Sequence, residues 1–395
     1  MKHAVIDCET TISNDGNPFD STNKLAYVGV RIDGTNHLFP IEFSEHPWGD
    51  AQREIRALLD SVDLYVFFNA KFDIHWLKRY GLALAPGKPI WDCQYVEYVL
   101  SGQEIQLPSL NETSERRGLG SKIDEVAKFY WDKGFDTMQV PEALLRDYLG
   151  QDLILTDKVF EQQKEELKGN QQLKRLCWYG CQDILVTQEM EWNGIKYDLT
   201  LSKEIGDRYL EAIGVLDARL GVLFPYNFLN FGSHENLSAL LYGGPVSYSI
   251  RETFEKRLKS GVIKLKEHWV KKIQEFPRLI DPLKGTALKK KDDNGKDRYY
   301  KTDEGTLKKL KAFGLAKQTI EIVLERAKIA KKVGTYFHGI PKLYEEMHWT
   351  DGTIHGQLIH CRAQTGRLAS NSPNQQNFDE EVRKCIVTRF PKKQI

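Results

Sequence analysis

The chain has 395 residues, too many for one ordinary core, and its 41% hydrophobic and 28% charged residues are those of a globular protein with two or more domains. No run of about 18 apolar residues is present, and no basic-then-apolar leader precedes the first strand signal, so neither a membrane span nor a secretion signal is expected. Six scattered cysteines without a CxxC pair exclude a disulfide frame or a cysteine zinc site, and a net charge of +1 covers an asymmetry: residues 1–150 hold about 15 Lys and Arg against 23 Asp and Glu, leaving the remainder basic. An acidic front suits metal binding, and a basic back suits a phosphate backbone.

In chain order, Ala4–Cys8 reads as a buried strand, Leu25–Ile32 and His37–Ile41 as a hairpin pair, Ala51–Leu59 as a helix and Leu64–Phe68 as a second buried strand. This alternation predicts an α/β layer. From Ser121 the signal turns helical. Pro141 can open a helix in which Leu145, Leu149 and Leu153 form a stripe. Asn193-Gly194 marks a break, with Asp198 or Thr200 as the next cap. Helical signal then runs through Leu223 and returns at Glu304–Phe313 and Gln318–Tyr336. Between them lies a basic stretch, 251–301, whose tip Lys289–Lys296 reads as an exposed hairpin or loop. The last sixty residues read as short strands and loops.

Three motifs carry chemistry. In His3-Ala-Val-Ile-Asp-Cys-Glu-Thr10, Asp7 and Glu9 are two apart on a strand and share one face. Two such carboxylates repel unless a cation lies between them. In Asn69-Ala-Lys-Phe-Asp73, Asn69 and Asp73 are one helical turn apart, and Asn69 can cap that helix. In Tyr148-Leu-Gly-Gln-Asp152 the same spacing aligns a hydroxyl with a carboxylate; Tyr179 and Asp183 repeat the spacing, and the first pair is preferred because Asp183 is read as beginning a helix. Four carboxylates on three elements suit a pair of hard divalent cations and phosphodiester cleavage.

Together these motifs, with about 66 residues from Asp7 to Asp73 and about 79 from Asp73 to Asp152, resemble the 3′–5′ proofreading exonuclease domain of family-A DNA polymerases. The resemblance implies a ribonuclease-H-like domain of the DEDDy type at 1–190, a mixed sheet flanked by helices. It implies two Mg²⁺ ions, or Mn²⁺, on Asp7, Glu9, Asp73 and Asp152, with Tyr148 orienting the attacking water. Asn69, Ile12 and Phe72 would hold the single-stranded 3′ end. It extends onward. Glu191-Trp-Asn-Gly-Ile195 is similar to the opening of the polymerase region, and Asn230-Phe-Gly-Ser233 to the thumb entry. Lys331-Lys-Val-Gly-Thr-Tyr336 is similar to a thumb helix, with Lys331 on DNA, although Ala327 stands where the family carries arginine. A mostly helical thumb at 191–350, with 251–301 inserted, would precede the start of a palm at 351–395. In Thr365-Gly-Arg-Leu-Ala-Ser370 and Pro373-Asn-Gln-Gln-Asn377, the residues Arg367, Asn374, Gln376 and Asn377 would grip primer–template DNA.

By the same resemblance the first palm aspartate would fall near position 398, beyond Ile395. The expectation is a subunit completed by a second polypeptide carrying palm and fingers, as in a split phage or bacterial polymerase in a bacterial cytoplasm, with a processivity factor or duplex DNA at the thumb insertion. Splicing of two halves into one product, or a chain cut at this point, would equally place the aspartate outside it. A free-standing exonuclease on RNA or DNA, and a non-catalytic DNA tether, stay open as alternatives.

Overall fold

The computed structural model describes residues 1–43, 48–123, 125–257, 263–288 and 299–389. The chain divides into two compact units, Met1–Leu199 with Ile340–Ile395, and Thr200–Gly339. The segments 191–199 and 340–350, expected with the thumb, thus fall in the first unit, as does the stretch from 351.

In the first unit, β-branched and aromatic runs give β1 (His3–Thr10), β2 (Leu25–Ile32) and β3 (Thr35–Pro40). Then follow α1 (Trp48–Asp60), β4 (Leu64–Phe67), α2 (Ala70–Arg79), β5 (Ile90–Asp92), α3 (Cys93–Leu100), α4 (Leu110–Arg116) and α5 (Glu125–Phe129). Two long helices, α6 (Glu142–Glu166) and α7 (Gln171–Asn193), lead to β6 (Ile195–Lys196). The five-stranded sheet has the order β3-β2-β1-β4-β5; β1 pairs antiparallel to β2 and parallel to β4. β1 is therefore central, and Ala4, Val5 and Ile6 are buried in it.

Helix α6 packs on this sheet through Leu145, Leu149 and Leu153, all fully buried. Each contributes roughly 1.5–3 kcal/mol of apolar burial. Gly29, opposite Asp7 in the register of β1 and β2, permits the approach: a Cβ there would lie 2.8 Å from Leu153 and 3.0 Å from Leu149. Helix α7 begins twelve residues before Asp183, so the expectation that Asp183 starts a helix is corrected. Asn170 caps α7, accepting from the Leu173 N–H, and Gly194 ends it with φ 56°.

The second unit holds α8 (Leu199–Leu223), α9 (His234–Tyr242), a ribbon of β7 (Gly244–Arg257) and β8 (Ile263–Phe276), α10 (Glu304–Leu307) and α11 (Gly314–Lys332). Leu216, Leu220, Leu240, Ile320 and Val323 make its core. A π-helical turn, Val333–Phe337, follows α11; the Ser202 hydroxyl donates to the Phe337 carbonyl at 3.0 Å. Two expectations change here. The helix expected over Glu304–Phe313 stops at Leu307, and the start of the basic stretch belongs to a fourteen-residue antiparallel ribbon rather than to a helical thumb. The tip at Lys289–Lys296 lies outside the described residues. The chain closes, in the first unit, with α12 (Gly339–Glu346), β9 (Thr353–Ile354), β10 (Gln357–Ile359), β11 (Ala369–Asn371) and α13 (Glu380–Arg383); β9 pairs with β6, and β10 with β11. Among the described residues, no helix is long and apolar enough to cross a membrane.

Candidate metal centre

The alternation of β1 turns Ile6 and Cys8 into the core and leaves Asp7 and Glu9 on the opposite face. That face is covered by α6, whose Tyr148 and Asp152 stand one turn apart beside the leucine stripe. Ligand oxygens of Asp7, Glu9 and Asp152 all lie within 4.8 Å of one another. Asp73 comes from α2. Its Oδ1 accepts the Cys8 N–H at 3.0 Å, so it is tied to the backbone between Asp7 and Glu9. It is not one of the three within 4.8 Å, but among neighbouring charges Asp7 acts on it most strongly.

Crowding these groups has an electrostatic cost. Burial, then Asp152, pushes the Asp7 carboxyl up to about 7. Burial, then Asp7, holds Glu9 and Asp73 well above the usual carboxylate range. Burial also raises Asp152, against the pull of Lys122. Lys122 was not found from sequence. Its ammonium forms an ion pair with Asp152 Oδ2 and lies 4.7 Å from the Tyr148 ring centroid. It comes from a loop 30 residues before Asp152, where no periodic spacing announces it. Tyr148, raised by burial and then by Asp152, packs edge-on against Trp131 at 5.4 Å.

The donor set fits a hard divalent cation. The ligands are all oxygen, and Asp152 Oδ1 is a buried acceptor with no hydrogen-bond partner among the described residues. Mutual repulsion among the carboxylates is the signature of missing positive charge. The alternative pair is placed differently: Tyr179 is 58% exposed and Asp183 is on the exposed face of α7.

Helix α2 brings further residues. Asn69, at its N-cap position, has φ 71° and makes no side-chain cap. This corrects the expected cap. Asp92 does that work, accepting the Ala70 N–H at 2.8 Å and the Asn69 N–H at 3.3 Å while also capping α3 through Gln94 and Tyr95. Phe72 is partly buried, its ring tip under Gly16, which has φ 65°. Ile12, at the end of β1, donates its N–H to Asp136 Oδ2 at 3.1 Å. Phe19, Asn69, Phe72, Tyr95, Gln357 and His360 line a cavity of about 400 Å³. Burial, then Lys71, brings the His360 imidazole down to about 4, so it is neutral at pH 7.

The remaining expected DNA-binding residues are elsewhere. Arg367, Gln376 and Asn377 are exposed in the loop that includes β11. Part of the loop's polar capacity is used internally: Asn374 Oδ1 accepts the Gln376 N–H at 3.2 Å, and Gln376 Nε2 donates to the Leu368 carbonyl at 3.0 Å. Lys331 is exposed on the last turn of α11, in the second unit. Arg326, next to the position where arginine was expected, pairs with Asp217 through two nitrogens.

Residues 256–394 match the model of DNA polymerase family A. Over 337 residues, 82% of this chain and 28% of the relative, the sequence is 25% identical to DNA polymerase I of Synechocystis sp.. It is 25% identical over 63% of the chain to DNA polymerase I of Helicobacter pylori strain J99, covering 24% of that protein. A stretch of 115 residues, 28% of the chain and 13% of the relative, is 29% identical to the thermostable DNA polymerase I of Thermus filiformis. The chain thus spans about a quarter of the length of the first two relatives. Its fold is like that of the POL domain of Pol1 from M. smegmatis, solved in complex with DNA primer–template and dNTP. The TM-score is 0.63 at 16% identity, covering 97% of this chain and 53% of that one.

Proposed function

The chain is related to the family-A DNA polymerases, and from that relation and the carboxylate cluster we propose that its first unit is a 3′–5′ exonuclease acting on DNA. The observation that carries this reading is the approach of Asp7, Glu9 and Asp152 oxygens within 4.8 Å of one another, together with a buried Asp152 Oδ1 that has no hydrogen-bond partner among the described residues. The sheet and its helices are read as ribonuclease-H-like. Asp7, Glu9, Asp73 and Asp152 would hold two Mg²⁺ ions, or Mn²⁺. Ions bound there supply a water of lowered pKa and positive charge for the leaving 3′ oxygen.

The chain's own groups do the rest. Tyr148, fixed against Trp131, presents a protonated hydroxyl that orients a water by hydrogen bonding. Lys122 pulls against the rise that burial imposes on Asp152 and offsets part of the cluster's charge. Ile12, Asn69 and Phe72 guide the strand end, and the cavity that Phe72 shares with Phe19 and Tyr95 accepts unpaired bases by stacking. The loop with Arg367, Asn374, Gln376 and Asn377 grips primer–template, and Lys331 of the second unit is a separate DNA contact. In this reading the β7–β8 ribbon is where a processivity factor or duplex would be held. The test is a pair of 3′-labelled single strands, one DNA and one RNA, incubated with Mg²⁺. Stepwise shortening of DNA at least tenfold faster than RNA is expected; faster trimming of RNA would move the assignment to an RNA exonuclease.

A further inference from the structure

Glu191, in the last turn of α7, is 5% exposed, and both its carboxylate oxygens are engaged by other elements. Oε1 accepts from Lys71 Nζ and from the Leu358 N–H, each at 2.6 Å. Oε2 is 2.9 Å from His75 Nε2. Gln188 Nε2 donates to His75 Nδ1 at 3.2 Å, which leaves the His75 proton on Nε2, facing Glu191. The Glu191 carbonyl accepts from His355 Nδ1 at 2.9 Å, and Lys71 also bonds the Leu358 carbonyl. One carboxylate therefore joins α7, α2 and β10, all within the first unit.

The position of these partners gives the joint its meaning. Lys71 and His75 flank Asp73 by two residues on either side, about 200° around α2 from it, and so on the opposite side of that helix from Asp73. Asp73 stands beside Asp7 and Glu9, which repel it. A helix that carries a repelled carboxylate must be held from behind or it shifts outward. Leu358 is the middle residue of β10 and pairs with Ser370 of β11, the strand that follows Thr365–Leu368. The same carboxylate thus fixes the strand on which the Arg367 loop hangs. Removing the shared acceptor would leave a part-buried ammonium and a buried N–H without it.

We infer that Glu191 is a positioning residue that clamps α2 from behind, holding Asp73 at the metal centre and locking that helix to the β10–β11 loop as one frame. The part concerning Asp73 rests on the proposed cation site; the mechanical joint does not. Mn²⁺ titration followed by electron paramagnetic resonance, on the full chain, reads the first part. Glu191→Ala should weaken one of two Mn²⁺ ions at least tenfold and leave the other within about twofold, with Glu191→Gln between it and the parent. Glu97→Ala serves as the control, because Glu97 is an equally buried carboxylate, bonded to Arg116, Arg117 and Gln163 and not to α2. It should keep both ions despite its lower stability.

Amide hydrogen exchange in EDTA reads the joint without metal. Glu191→Ala should speed exchange at least tenfold over residues 70–79 and 357–371 together, and Glu97→Ala should not. Both ions bound as in the parent by folded Glu191→Ala, or the same ion lost in Glu97→Ala, would overturn the clamp on Asp73. Faster exchange in only one of the two segments would overturn the shared frame. A parent chain that binds no Mn²⁺ would refute the cation site and with it the Asp73 part, while exchange still decides the joint.

Discussion

Replacing Asp7 by asparagine removes one charge from the cluster with almost no change of shape. In the metal-free chain the Asp7 carboxyl titrates near 7 rather than 3.8, because of burial first and Asp152 second. Between those values the folded state keeps a proton that the unfolded state gives up, so stability falls as pH rises through the window, and the full destabilisation from this group is reached above it. The full shift of about three units corresponds to roughly 4 kcal/mol at 1.36 kcal/mol per unit. Asp7 is only partly buried, so solvent reduces the effect, and about 2 kcal/mol is expected at pH 8. At pH 5 little more than a third of the window has been crossed, and after the same reduction roughly 1 kcal/mol or less is expected. Urea denaturation in EDTA should therefore find Asp7→Asn more stable than the parent at pH 8, with a smaller gap at pH 5. Saturating Mg²⁺ should stabilise the parent more than the variant and close or reverse the gap. A variant that is less stable than the parent in EDTA at both pH values would refute the claim that these carboxylates are held together against their repulsion.

Other outcomes follow from the same geometry. Lys122→Met should lower the stability of the metal-free chain at pH 8 in thermal melts and reduce single-strand cleavage about tenfold in steady-state kinetics, because Asp152 and Tyr148 lose their shared cation. Tyr148→Phe should reduce kcat about tenfold with KM and the melting temperature nearly unchanged, since the ring keeps its contact with Trp131. Arg367→Ala should weaken primer–template binding in fluorescence anisotropy and leave cleavage of a short single strand unaltered, as the side chain is exposed on its loop.

Much of the sheet was legible because its pattern is strong. β2 occupies Leu25–Ile32 as read, and β1 and β4 differ from expectation only at their ends. The leucine stripe of α6 likewise announced the helix that carries Tyr148 and Asp152. The ribbon was missed for a physical reason. Leu265, Trp269 and Ile273 are 71%, 66% and 60% exposed, and charged residues stand on both faces of β8, so no buried face imposes a period of two. Lys122, Asp92 and Glu191 were missed for another. Apart from Asp92's own cap on α3, the partners named for them lie between about 20 and 170 residues away in sequence, and only the folded chain brings them together. Asn69 shows the converse: a residue type that favours caps stands at the cap position, yet Asp92 takes the helix N–H groups.

The proposed nuclease is tested most directly by following a 3′-labelled single-stranded DNA with Mg²⁺ for the parent chain, Asp7→Ala and Asp152→Ala. The parent should release nucleotides stepwise from the 3′ end, EDTA should stop the reaction, and each variant should be slower by at least about 1,000-fold. Equal rates for parent and variants, or a parent rate indifferent to EDTA, would contradict the assignment of catalysis to the carboxylate cluster.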